Sequence, residues 1–322
     1  MDAEILIKKG DACLAEGMFA MAIESFTKAI AAEPRRAAAY CRRAKAYYAS
    51  LLARLGKAPN DPEKFEEFER SIRGREELDL SLKDLKAALS CDPGLAEAHF
   101  NIGVIQYSKG RHRDAARSFG KAIALDESNI DAYYHRVMAY EQLEDLPRAL
   151  ADLDAITRIA PAYAEAFLER GVIFSGQGKH ADAVREIDKA IALEPGEAKY
   201  HYHRSMAIST PAFDTRDFAA LQEAQDGMSE AIRLDPGYAE AYFHRSFLYG
   251  LLGQPQKELD DLTAAIRLDP DYAAAYRERF QCQVQLGRKK QAVRDWGQFC
   301  ARSKESARID LPAGLRRNHS LN

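Results

Sequence analysis

Arginine and carboxylate recur together in this chain at a fixed distance. Arg136, Arg170, Arg245 and Arg279 are each followed sixteen residues later by Asp152, Glu186, Asp261 and Asp295, and Arg43 matches Asp84 across a longer interval. A guanidinium and a carboxylate that come and go together predict a pair that touches, because the planar fork of arginine fits two carboxylate oxygens. The gaps obey the same rule. Where Lys9 or Ile102 replaces the arginine, Ser25 or Ser118 replaces the acid, and only beside Arg204 is the nearest acid, Asp226, displaced by one residue. Catalysis needs one special site, whereas this pair is repeated along the chain, so its expected role is to join two helices.

Other chemistry-bearing residues point away from an enzyme. His135, His203 and His244 share one repeat position. Packed helices lie about 8–10 Å apart, and zinc needs its ligands at about 2 Å, so no metal site is expected. The five cysteines, Cys13, Cys41, Cys91, Cys282 and Cys300, contain no C-x-x-C pair and are odd in number. They read as small buried hydrophobes in a reducing compartment. There is no Gly-rich phosphate loop, no G-x-S-x-G and no H-E-x-x-H, so neither catalysis nor a cofactor is expected.

The elements that must hold the arginines and acids are paired helices. Proline, which cannot continue a helix, recurs at Pro34, Pro93, Pro161, Pro195, Pro236 and Pro270, with Glu127 in its place once, and the commonest interval is 34 residues. The register yields about eight repeats over residues 3–303, with extra segments at about 51–75 in the second and 209–217 in the sixth. In the first insertion LLARLG extends a helix, and a charged helical protrusion follows Asp61-Pro62-Glu63; the second is expected to be a loop starting at Thr210-Pro211. The tail, 304–322, is expected to give a short helix and then disorder from about Pro312. Within one repeat, residues 164–175 and 180–193 form the two helices, with Gly171, Ala183 and Ala190 small where they approach and Phe167, Phe174 and Ile187 filling between.

This alternation of aromatic, small residue, Tyr/Phe, A-x3-F, Ala and Pro resembles the tetratricopeptide repeat. The resemblance covers nearly the whole chain. It implies an all-α right-handed superhelical solenoid in which each hairpin buries its apolar face against the next, and a function in binding other proteins. One group in that family clamps the C-terminal carboxylates of heat-shock chaperones with Lys, Asn, Asn, Lys and Arg. Here those positions read Ile7, Asp11, Arg42, Glu97 and Asn101, so a chaperone clamp is not expected.

In the family the concave groove is lined by the first helix of each repeat, on the face away from the pair's interior. At the fifth position of that helix stand Phe100, Tyr134, Leu168, Tyr202 and Phe243, and at the ninth Val104, Met138, Val172, Met206 and Phe247. Asn101, His135, Glu169, His203 and His244 follow the first row and add polar groups. Two apolar rows on a wet face suggest a site for a peptide or helix of a partner, although aromatics at the fifth position also pack against neighbouring helices in this family. With 30% charged residues and a net charge of −3, nucleic acid is not the expected partner, since phosphate binding needs a basic stripe. The charged first ten residues do not read as a secretion signal, and no apolar run reaches the roughly 20 residues of a membrane helix. The expectation is a cytoplasmic, non-catalytic scaffold or adaptor that binds a partner segment in the groove. A peptide-sensing receptor that changes superhelix shape is the alternative, and Trp296 and Phe299 on the last helix offer a route to homo-oligomers.

Overall fold

The computed structural model describes residues 2–56 and 75–303. Among them are sixteen α-helices and no strand, arranged as consecutive hairpins. The chain divides into two compact units, Met1–Pro161 and Ala162–Asn322. In the first unit α1 (Ala3–Ala15) pairs with α2 (Phe19–Ala32), α3 (Ala37–Leu55) with α4 (Glu76–Cys91), α5 (Ala96–Ser108) with α6 (His112–Leu125), and α7 (Ile130–Glu141) with α8 (Leu146–Ile159). In the second, α9 (Ala164–Gly176) pairs with α10 (His180–Leu193), α11 (Ala198–Thr215) with α12 (Phe218–Leu234), α13 (Ala239–Leu251) with α14 (Pro255–Leu268), and α15 (Ala273–Gln285) with α16 (Lys289–Arg302). Inside each unit the second helix of a hairpin also packs on the first helix of the next.

Local chemistry sets the ends of these helices. Asn129 caps α7 by accepting from the Ala132 amide at 2.9 Å, and Pro147 and Pro255 occupy first turns, where a missing N–H costs nothing. The short turn inside a hairpin needs one left-handed residue. Gly178 supplies it at φ 74°, and in the fourth hairpin Glu144 takes the same conformation at φ 56° despite its side chain. The hairpin core pairs a small residue with a large one. A Cβ on Gly171 would stand 2.5 Å from Ile187, and one on Gly103 2.5 Å from Phe119, and both large side chains are buried. Filling that contact with a fully buried side chain contributes about 1.5–3 kcal/mol, and it requires the facing position to stay empty.

The arginine–carboxylate pairs form as the spacing predicts. Two parallel bonds join Arg43 to Asp84 (2.7 and 2.8 Å), Arg136 to Asp152 (2.8 and 2.6 Å), Arg245 to Asp261 (both 2.8 Å) and Arg279 to Asp295 (both 2.7 Å). Arg170 and Glu186 approach to 3.3 Å, with Lys189 on the other Glu186 oxygen at 2.7 Å. Three of the arginines also reach back to the preceding hairpin. Nη1 donates to a hydroxyl of Thr27 from Arg43 (3.0 Å), of Ser229 from Arg245 (3.0 Å) and of Thr263 from Arg279 (3.2 Å). The fork closes one hairpin and the remaining nitrogen ties it to its neighbour.

Two expectations need correction, both in the sixth hairpin. Its extra residues are not a loop from Thr210: α11 runs on to Thr215 with Pro211 inside it, and Ala212 beyond the proline is buried against Leu221 and Ala224. Packing outweighs the single backbone bond the proline forgoes. Nor does Asp226 replace the missing acid. Arg204 instead donates to Asp188 of the preceding hairpin (2.6 Å) and to Glu223 (2.9 Å), while Asp226 accepts from Gln222 at 3.1 Å. The extension of α3 through LLARL is present and ends at Gly56. The protrusion beginning at Asp61 and the tail helix and disorder lie outside the described residues.

The cysteines form no disulfide. Cys13, Cys41 and Cys282 are buried, and Cys91 and Cys300 are partly exposed. Burial, and then nearby Glu97, pushes the Cys41 thiol up to about 12; burial and Glu258 push that of Cys282 to about 11.

Candidate partner-binding surface

In the first unit the candidate residues lie on α5 and α7 and are all half-buried. Phe100 packs on Phe119 of its own hairpin (5.7 Å between centroids) and meets His135 of the next edge-on at 5.2 Å. His135 also contacts Phe119 at 5.7 Å, and its Nδ1 lies 2.9 Å from the Asp131 carbonyl oxygen. It therefore sits as a wedge between two hairpins. Asn101 and Val104 line a cleft of about 30 Å³ with Lys45, Tyr48 and Ile105, room for about one water-sized group. Tyr134 is half-buried beside His135 (6.5 Å), and Met138 is half-buried one turn further along α7. Arg42 is ion-paired with Asp11 at 3.5 Å.

In the second unit the candidates lie on α9, α11 and α13. The fifth-position row is less open here than a helical wheel suggests. Leu168 is 3% and Phe243 8% exposed, so both belong to the packed interior. A wheel drawn for one hairpin omits the next hairpin, which covers this position. The ninth-position residues are the open ones: Val172 is 36% and Phe247 44% exposed, with Met206 half-buried. Glu169 is also half-buried.

Around Phe247 lies an aromatic shelf. Phe243 contacts Phe247 (5.3 Å), Tyr272 (4.8 Å) and His244 (5.3 Å), and Tyr202 contacts Tyr238 (5.0 Å), His203 (5.1 Å) and His244 (5.6 Å). Burial holds His203 and His244 below the ordinary imidazole value, favouring the neutral ring, and pushes the Tyr202 hydroxyl up to about 12 with help from the Glu240 charge. Burial raises Tyr238 and Tyr272 as well, and the Glu240 charge adds to it. The shelf is thus apolar, and Glu240 is the carboxylate that acts on all three tyrosines, with Asp235 beside Tyr238 and Asp269 beside Tyr272. Tyr238, Tyr272 and Glu240 were not singled out from the sequence. The signal was available: a tyrosine immediately before the first helix of a repeat, at 238 and 272, with an acid two positions after the first.

Trp296 and Phe299 are half-buried in the last hairpin, where Trp296 stacks on Phe280 (4.8 Å) and Phe299 (5.6 Å). Among the described residues no group of His, Cys, Asp or Glu could hold a metal ion, and no helix is long and apolar enough to cross a membrane.

Family models described as tetratricopeptide repeat match residues 3–36, 73–130, 100–164, 134–198 and 239–272. DnaJ homolog subfamily C member 3 of Rattus norvegicus is 26% identical over 154 residues, covering 44% of this chain and 30% of that protein. The Hsp70-Hsp90 organizing protein of Triticum aestivum is 32% identical over 93 residues, or 29% of this chain and 16% of that protein. The chain spans less than a third of the length of the curated relatives it matches first. Two solved structures share the fold. The C-terminal part of a TPR repeat-containing protein from Cytophaga hutchinsonii has a TM-score of 0.63 at 19% identity, over 84% of this chain and 98% of that one. A tetratricopeptide repeat protein from Parabacteroides merdae has a TM-score of 0.56 at 20% identity, over 76% and 94%.

Proposed function

Because the chain belongs to the tetratricopeptide-repeat family, we propose that it is a non-catalytic interaction scaffold that binds a segment of another protein on the first-helix face of its hairpins. The observation that carries this reading is the shelf of the second unit, where Phe247 stands 44% exposed beside Phe243, together with Val172, 36% exposed at the equivalent position of α9. Exposed apolar side chains set on a rigid, packed aromatic base give contact area without an ordering cost on the protein side. The fitting occupant is a short segment with apolar anchors. A lysine or arginine beside them would meet Glu240, whose carboxylate edges the three tyrosines. Asn101, Val104, Tyr134, His135 and Met138 occupy the corresponding first-helix positions in the first unit, as do Leu168, Glu169 and Met206 in the second, where Tyr202, His203 and His244 support the shelf.

The test compares proteins that co-purify from the native host with the wild type, with Val172→Glu/Phe247→Glu, and with Met21→Glu. Met21 is 47% exposed on a second helix and serves as the control. Circular dichroism verifies that each variant is helical. The expected outcome is a partner retained by Met21→Glu and lost by the double variant. A partner retained by all three would remove the function from this face.

A further inference from the structure

The reach-back contact of the arginines fails at one place inside the first unit. Arg136 grips Asp152 with Nε and Nη2 like its counterparts. The residue sixteen before it, which is Thr27, Ser229 or Thr263 for the other three, is here Gly120. Nη1 of Arg136 comes to 3.2 Å from where a Gly120 Cβ would stand, so it faces the space the missing side chain leaves. That space opens into a cleft of about 440 Å³ lined by Arg113, Arg117, Arg136 and Arg148, with Tyr140 and Asp145 among the other walls.

The charge balance of this cleft is positive. Asp152 is committed to Arg136, Asp145 pairs with Arg148 at 3.2 Å, and Asp114 is shared between Arg111 at 2.6 Å and Arg117. Four guanidinium groups therefore line the cleft, and one carboxylate, Asp145, lines it with them. Arg136 is also pre-positioned: its guanidinium lies against Tyr133 (5.5 Å) and Tyr140 (5.8 Å), which fixes it before any ligand arrives. A planar, held donor with flexible cations around it suits a phosphoryl group, which carries about two negative charges and three acceptor oxygens. We propose that this cleft binds a phosphate monoester, with Nη1 of Arg136 as the fixed donor and Arg113 and Arg148 closing on the remaining oxygens. It is separate from the first-helix shelf of the second unit and does not depend on that surface being used.

Calorimetric titration at constant ionic strength tests it with three probes: inorganic phosphate, O-phosphoserine, and a phosphoserine peptide beside its unphosphorylated twin. Wild type should bind the phosphorylated probes and not the twin. Gly120→Ser supplies the missing hydroxyl to Nη1 and occupies the opening, so affinity should fall at least about tenfold, the scale of one charge-assisted hydrogen bond. Arg113→Gln/Arg148→Gln should fall as far, and both residues are exposed, so this variant keeps its fold if Gly120→Ser does not. Tighter binding of the phosphopeptide than of O-phosphoserine identifies a partner's phosphorylated side chain as the source. Equal affinity identifies a small phosphate. Absence of binding to wild type, or equal affinity in the wild type and the folded variants, overturns the assignment.

Discussion

The sixth and seventh hairpins are neighbours with the same plan and different interiors. In the seventh, Arg245 and Asp261 form a two-pronged pair with side chains only 15% and 9% exposed. In the sixth, Gly227 occupies the place of that aspartate, as the buried Met228 beside it shows by matching Leu262. Arg204 turns outward to two carboxylates that are 50% and 54% exposed. Ser205 fills the room beside Gly227, so closely that a Cβ on the glycine would overlap its hydroxyl. The same arginine is thus an internal fastening in the seventh hairpin and, in the sixth, a half-buried cation held by exposed acids. What decides is whether the facing helix leaves space for an acid.

Removing the guanidinium should separate the two hairpins most widely. Arg245→Leu strands a buried Asp261 and should cost about 3 kcal/mol, whereas Arg204→Leu should cost less than about 1 kcal/mol because its acids stay in water. Urea unfolding followed by circular dichroism measures both, with hydrogen exchange locating the loss. Replacing both members, Arg245→Leu/Asp261→Leu, should recover much of the first cost, and equal losses for all three variants would refute a buried pair. Next in size is Gly227→Asp, which restores the acid but drives it into Ser205. We expect a loss of about 1–3 kcal/mol from overpacking, reversed when Ser205→Gly is added and the acid can meet Arg204.

The smallest effect is a pH dependence shared by the two hairpins through His203 and His244. Burial lowers both pKa values in the folded state, so the stability they are linked to is fully present above the ordinary imidazole value of 6.5. It is lost as pH falls below that value, where the unfolded chain takes up protons that the folded rings refuse. Unfolding midpoints between pH 7.5 and 5.5, above the carboxylate range, should fall in the wild type and stay flatter in His203→Gln/His244→Gln. An equally steep fall in the variant would assign the dependence to other groups.

Much of this was legible in the residues. A repeated proline gave the hairpin boundaries, and the joint presence of Arg136 with Asp152, or Arg245 with Asp261, identified contacts that the packed helices then close to hydrogen-bond distance. The sixth hairpin was misread because proline is locally a breaker, and only tertiary packing around Ala212 and Leu221 keeps Pro211 inside a helix. The surface was read only in part. Phe243 and Phe247 are four residues apart and both apolar, but whether each is wet depends on the neighbouring hairpin, seen in the Tyr272 ring that covers one and not the other. Gly120 carries no signal by itself, since its meaning comes from the hydroxyls that hold arginines at the equivalent positions.

The thiols differ in how far they can be reached by a reagent. Burial and the neighbouring Glu97 and Glu258 hold Cys41 and Cys282 as neutral thiols at pH 7, so both should ignore maleimides that attack thiolates. Cys13 is shielded by burial alone. The reactive pair that remains is Cys91 and Cys300, one in each compact unit. Without any engineered cysteine the chain therefore accepts a donor and an acceptor dye at two addresses, and energy transfer between them would measure their separation with and without an added ligand.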